Sequence, residues 1–277
     1  MFTLKTITQT WLKSKPIQSS ELWDNQKFLF QKGSTISVES VIPMENQHSV
    51  ITLNQSLQKE SNSYKTLYGY TPHLEIIGDS NKRELFLNVP YFSQLNNQNY
   101  LFGPGSRQCN LTACAMYAAY LKPSLLSISN ELGYTQFDSY YGDILSKYGD
   151  TTDHYAQTEA LKELCIESYF SYSLSISDLV LCLQKNTPVV IGVTYKNSGH
   201  IIIVTGFNLD KELIYVHDSY GIRYGSSDIY EVGVEAKYDP YSFDLLKRIW
   251  VDMGDEKGWG RIATSIDGKS TKLPYNL

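Results

Sequence analysis

Cysteine is scarce in this 277-residue sequence, with four residues at positions 109, 114, 165 and 182 and no Cys-x-x-Cys pair. That spacing does not build a zinc site, so neither a metal nor any other cofactor is expected. Disulfides are not expected either, because no signal peptide is evident and reduced thiols are the rule inside cells. Basic clusters are missing as well. Lys and Arg number 24 against 29 Asp and Glu, leaving a net charge of −5. A duplex-binding face needs concentrated positive charge, so nucleic acid is not an expected partner. No run approaches the roughly 18 consecutive apolar residues of a membrane helix, so no membrane partner is expected. Met1 to Thr6 lacks the basic-then-apolar run of a secretory signal. The chain is therefore expected to begin in the cytoplasm and to reach any site outside by separate release.

What is abundant is tyrosine, 22 copies against 10 of phenylalanine, in a chain that is 42% hydrophobic and 19% charged. Tyrosine packs like an apolar residue but needs a partner for its hydroxyl, which suits β-rich surfaces and polar clefts. The composition is that of a well-buried fold and not of a disordered chain.

The first 80 residues read as short strands. Trp11–Lys13, Lys27–Phe30, Thr35–Val38 and His48–Leu53 are separated by polar or Gly-containing turns, and Tyr64–Ile77 is a further β-prone stretch. Strands at such close intervals predict a small all-β barrel over residues 1–80. The polar run Gly78–Glu84 marks a boundary, and a second domain is expected over 85–277. There, Leu85–Phe92 reads as an extended lead-in. Helices are predicted at 109–121, 124–132, 156–165 and 176–185, the last capped by Ser175 with Asp178. Strands are predicted at Val189–Tyr195, Gly199–Gly206 and Leu213–His217. Helices followed by an antiparallel sheet give an α+β domain.

Cys109 stands where its helical pattern begins, after the loop Gly103–Arg107. A cysteine is nucleophilic as thiolate, and the unpaired N–H groups of a helix N-terminus stabilise that anion. Cys114 lies one turn further inside an Ala-rich helix, and Cys165 and Cys182 fall on apolar stripes, so all three are expected to be buried and inert. Among five histidines, His200 opens the apolar strand Ile201–Val204, a setting suited to a base. His154 reads as a polar helix start. Asp218 ends the next strand, where antiparallel pairing would set it beside His200 to orient the ring. His217 faces the opposite side by the two-residue period and is the second choice for the base. Chain order Cys, His, Asp with the nucleophile on a helix is that of papain-like enzymes. On spacing alone, Gln94 is an oxyanion donor or a loop amide bound to backbone.

Four blocks occur in order: Asn88–Gln94, Cys109–Met116, Gly199–Gly206 and His217–Gly221. Together they resemble peptidase family 39-like cysteine peptidases, papain-like relatives of the enzymes that trim double-glycine leader peptides. The resemblance spans about 85–262, with Gly258-Trp259-Gly260 similar to the final strand. It implies Cys109 as nucleophile, His200 as base, Asp218 as orienting residue and Gln94 as oxyanion donor. One departure stands out: where the family often has Asp-Pro, this chain has Asp218-Ser219. The N-terminal segment, best over Tyr68–Leu74, resembles bacterial Src-homology-3-like domains, which implies possible cell-wall binding beside a plain packing role. The expected function is amide hydrolysis in peptidoglycan, as in a phage lysin or bacterial wall hydrolase. The alternatives are a processing protease or acyl transferase acting on a protein or leader peptide, and a non-enzymatic binding protein on an inactive scaffold.

Overall fold

A computed structural model describes residues 2–44, 47–77, 82–97, 99–196, 198–225, 228–250, 257–271 and 273. Most of the polar run read as a boundary, residues 78–81, lies outside the described residues, as does Asn197 of the turn before His200. The chain divides into two compact units, one up to Lys82 and one spanning Arg83–Thr271.

The first unit is strand-rich. It contains β1 (Phe2–Thr6), β2 (Thr10–Lys13), β3 (Lys27–Phe30), β4 (Thr35–Pro43), β5 (His48–Lys59), β6 (Asn62–Tyr70) and β7 (Leu74–Ile77). They form one antiparallel sheet in the order β3-β2-β6-β5-β4-β1-β7. The strand-rich unit is the small β domain expected, and among the described residues its pairing path runs from β3 to β7 with no ladder joining the two. Alternation puts Ile51 and Leu53 of β5 inward, against Leu4, Leu12, Val38 and Leu67, all fully buried. The long 64–77 stretch is split because Pro72 removes a ladder donor, and a 3₁₀ turn, Thr71–His73, separates β6 from β7.

The second unit is α+β. After β8 (Glu84–Phe86) come α1 (Cys109–Leu121), α2 (Ser124–Glu131), α3 (Phe137–Leu145) and α4 (His154–Glu163). Then follow β9 (Ile166–Leu174), α5 (Ile176–Gln184), β10 (Val189–Tyr195), β11 (Ser198–Asn208) and β12 (Leu213–Asp218). The short β13 (Gly221–Arg223) and β14 (Tyr230–Val232) pair with each other, and β15 (Ala236–Ser242), α6 (Phe243–Ile249), β16 (Gly258–Ile266) and β17 (Lys269–Ser270) complete the unit. The main sheet runs β15-β12-β11-β10-β16-β17, with β8 on β11 and β9 on β16. The lead-in 85–92 is strand only over Glu84–Phe86, and Gly206 permits that pairing, since a Cβ there would lie 2.7 Å from the Leu85 carbonyl oxygen.

Helix α1 has almost no polar face. Residues 110–119 are all buried, so it is a central helix packed on β11 and α3. Ser175 and Asp178 form the expected reciprocal cap of α5. Cys114 and Cys182 are buried, but Cys165 is exposed. α4 stops at Glu163, and Cys165 sits in the left-handed turn that follows (φ 62°), which rotates it off the apolar stripe. Among the described residues no helix is long and apolar enough to cross a membrane, and no group of three His, Cys, Asp or Glu is placed to hold a metal ion.

Candidate active site

Cys109 is the first residue of α1, where the opening N–H groups have no intrahelical acceptor. The loop before it is pinned from inside. Gln108 is fully buried and its side-chain amide donates to the carbonyls of Asn99 (3.0 Å) and Gly103 (2.8 Å). Arg107 grips Asp150 with two bonds, 2.9 and 2.6 Å. The position of Cys109 is thus fixed by the loop that precedes it.

β11 and β12 run antiparallel with Ile203 opposite His217. By continuation Asp218 faces Ile202, and His200, two residues along β11, lies diagonally on the same side. His200 Nε2 is 2.7 Å from Asp218 Oδ1, with both side chains buried. The other ring nitrogen, Nδ1, is left for the Cys109 sulfur, with which the ring shares a hydrogen bond. Asp218 Oδ1 also accepts from the N–H of Tyr220 at 2.9 Å.

The electrostatics follow from this packing. Burial alone pushes the Cys109 thiol up, but the hydrogen bond and charge of His200, helped by the Ile201 N–H, outweigh burial and the opposing Asp218 charge, holding it below its ordinary value. Burial also works against a charged His200. The charge and hydrogen bond of Asp218, and those of Cys109, prevail and lift it to about 10. Each group favours the charged form of the other, which biases the pair toward thiolate and imidazolium. Three tyrosines enclose the imidazole, Tyr195, Tyr220 and Tyr230, with centroids 6.1, 6.0 and 5.8 Å from it. With these rings packed edge-to-face around it, His200 is shielded from water. Tyr230 is braced by the buried Arg223, which donates to the Thr194 carbonyl at 2.8 Å.

Gln94 is buried in a 3₁₀ turn, Gln94–Asn96. Its Nε2 donates to the Gly105 carbonyl (3.0 Å), four residues before Cys109, and its Oε1 accepts from Ser219 Oγ (2.7 Å). A Cβ on Gly105 would overlap the Gln94 carbonyl oxygen, so this close approach requires glycine. The four residues singled out in the sequence therefore occupy one region.

His217 is not positioned as a base. Its Nε2 meets the Val89 carbonyl (3.1 Å) and its Nδ1 meets the Tyr238 N–H (3.0 Å), which fixes a neutral ring. Burial holds it down at about 4, with the nearby Lys237 charge adding to the effect and backbone hydrogen bonds opposing it. His154 starts α4 beneath the Asp153 cap and stacks on Phe170 at 3.7 Å. Sequence reasoning missed the tyrosine enclosure and the contact of Ser219 with Gln94. The excess of tyrosine was the signal for the first, and the Asp218-Ser219 departure for the second.

A groove of about 490 Å³ opens beside Ser93, next to Gln94. Asp138 and Glu235 lie among its lining residues, with no lysine, arginine or histidine among those described.

No curated protein matches this chain. Among solved structures, a C39-like peptidase from Bacillus anthracis is similar at 16% identity and TM-score 0.40, over 66% of this chain and 98% of the other. The peptidase domain of Streptococcus ComA, a bi-functional ABC transporter involved in a quorum-sensing pathway, is similar at 15% identity and TM-score 0.35, over 57% and 92%. The model of the Peptidase_C39 like family matches residues 86–245, well over half of the chain. The chain belongs to that family and is a cysteine peptidase.

Proposed function

We propose that this peptidase cleaves amide bonds in cell-wall peptides, with Cys109 as nucleophile, His200 as acid and base, Asp218 orienting His200, and Gln94 binding the oxyanion. The observation that carries the chemistry is the buried His200–Asp218 pair, 2.7 Å apart, acting on Cys109 at the start of α1. The Cys109 thiolate adds to the scissile carbonyl carbon, and the developing oxyanion is met by the Cys109 N–H and Gln94 Nε2. The His200 imidazolium gives its proton to the leaving nitrogen as the C–N bond breaks, leaving a thioester. Neutral His200 then takes a proton from water, whose oxygen displaces the thiolate and releases the acid.

The groove at Ser93, whose lining includes none of the four residues given roles above, is assigned to the substrate path. Its carboxylates, unopposed by bases, favour a peptide carrying a free amine, and wall stem peptides contain a diamino acid. The strand-rich N-terminal unit is assigned the role of wall contact. The test is incubation of purified peptidoglycan with wild type and Cys109→Ala, counting new primary amines and identifying fragments by mass spectrometry. New amines with wild type alone are expected. Intact walls alongside a polypeptide cut at one defined site would replace the wall substrate with a processing role. An undiminished biological effect of Cys109→Ala would point to a binding protein.

A further inference from the structure

We infer that Ser219 is a positioning residue that sets the amide of Gln94 for oxyanion binding, an inference that rests on the Gln94 role proposed above. Ser219 holds Gln94 at two points. Its carbonyl accepts from the Gln94 main-chain N–H at 3.1 Å, and its hydroxyl donates to Gln94 Oε1 at 2.7 Å. Both residues are buried, at 1% exposure each.

The direction of that second bond follows from the far end of the amide. The Gly105 carbonyl only accepts, so Gln94 Nε2, and not Oε1, must face it. Oε1 then points to Ser219 and needs a donor, which the hydroxyl supplies. With Oε1 held by Ser219 and one Nε2 hydrogen on Gly105, the second Nε2 hydrogen is left for the reacting carbonyl beside Cys109. Preorganised donors of this kind act because they need no reorientation when charge develops.

Position in the chain gives the contact a second consequence. Ser219 directly follows Asp218, so one dipeptide fixes both the acid that orients His200 and the donor that meets the oxyanion. A proline at 219 would have no hydroxyl to offer. The serine that departs from Asp-Pro thus supplies a bond to the oxyanion side chain.

The test separates steps that form an oxyanion from those that do not. Acylation of Cys109 by p-nitrophenyl acetate passes through a tetrahedral oxyanion, whereas alkylation by iodoacetamide displaces iodide at carbon and forms none. Ser219→Ala is expected to slow the p-nitrophenolate burst about 10-fold and Gln94→Ala about 100-fold. The double variant should match Gln94→Ala, because Ser219 acts only through that side chain. Alkylation rate and its pH profile should stay at wild-type values in all three, which also reports an intact fold and an undisturbed Asp218. An unchanged burst in Ser219→Ala, with Gln94→Ala slowed, overturns the Ser219 inference alone. An unchanged burst in Gln94→Ala overturns the oxyanion role beneath it. Equal slowing of acylation and alkylation by Ser219→Ala would place its effect on the Cys109–His200 pair and also overturn the inference.

Discussion

Removing the imidazole should raise the Cys109 thiol back toward or above its ordinary value. In wild type the His200 contact overcomes burial and holds the thiol below its usual value, while His200 stays charged to about 10. In His200→Ala, burial and the Asp218 charge remain to push the thiol up, opposed only by the Ile201 N–H. At the free-cysteine value of about 8.5, about 3% is ionised at pH 7. A more basic thiolate is intrinsically more reactive, with a Brønsted slope of about 0.4–0.5, so the labelling rate falls by less than the thiolate fraction does. The assay is iodoacetamide labelling from pH 5 to 9 with peptide mapping. A Cys165→Ser background removes the exposed thiol from competition. Wild-type Cys109 should lose less rate from pH 8 to 6 than free cysteine, which with a pKa near 8.5 slows by nearly 100-fold. His200→Ala should follow the free thiol. A variant that labels as fast as wild type at pH 6, or equal labelling of Cys114 and Cys109, would refute the ion pair.

Other expected outcomes follow from the same packing. His217 is held at about 4 when folded against about 6.5 unfolded, so the unfolded chain takes up its proton first as pH falls. Stability of up to about 3 kcal/mol, present above pH 6.5, should be lost between 6.5 and 4 in urea titrations, and His217→Gln should flatten that slope. Asp138 is buried with Oδ2 unpartnered, and burial lifts it to about 6 against the hydrogen bonds of its own and the Ser139 N–H. Its folded form binds the proton more tightly, so stability declines as pH rises from about 4 to 6, and Asp138→Asn should raise Tm at pH 7 while weakening cleavage of amine-bearing peptides relative to their acetylated forms. Gly105→Ala would press against Gln94, and the p-nitrophenyl acetate burst should fall at least as far as in Ser219→Ala.

The sequence was most legible where one physical signal dominated. The Ala-rich pattern between Gln108 and Lys122 bounded α1, and the apolar run 189–195 bounded β10, as found. Two helices escaped because their composition argues otherwise. α3 carries Ser139, adjacent tyrosines and Gly142, all poor helix formers, and forms because Phe137, Tyr141 and Leu145 bury one face. α6 follows Tyr238-Asp239-Pro240, which reads as a turn, yet Pro240 lies within the edge strand β15. Cys165 was misplaced because periodicity does not show where a helix yields to a left-handed turn. The site was legible to the extent that chain order and strand pairing determine it: His200 and Asp218 meet by register alone. Contacts between distant loops, Ser219 with Gln94 and the tyrosines around His200, have no periodic signature and needed coordinates.

Trapping the acyl-enzyme tests the nucleophile most directly. The protein is mixed with p-nitrophenyl acetate, quenched in acid and mapped by mass spectrometry. An acetyl thioester on Cys109 in wild type, strongly reduced in His200→Ala, is the expected result. Acetyl groups on another residue, or none on Cys109 while it still reacts with iodoacetamide, would contradict Cys109 as the catalytic nucleophile.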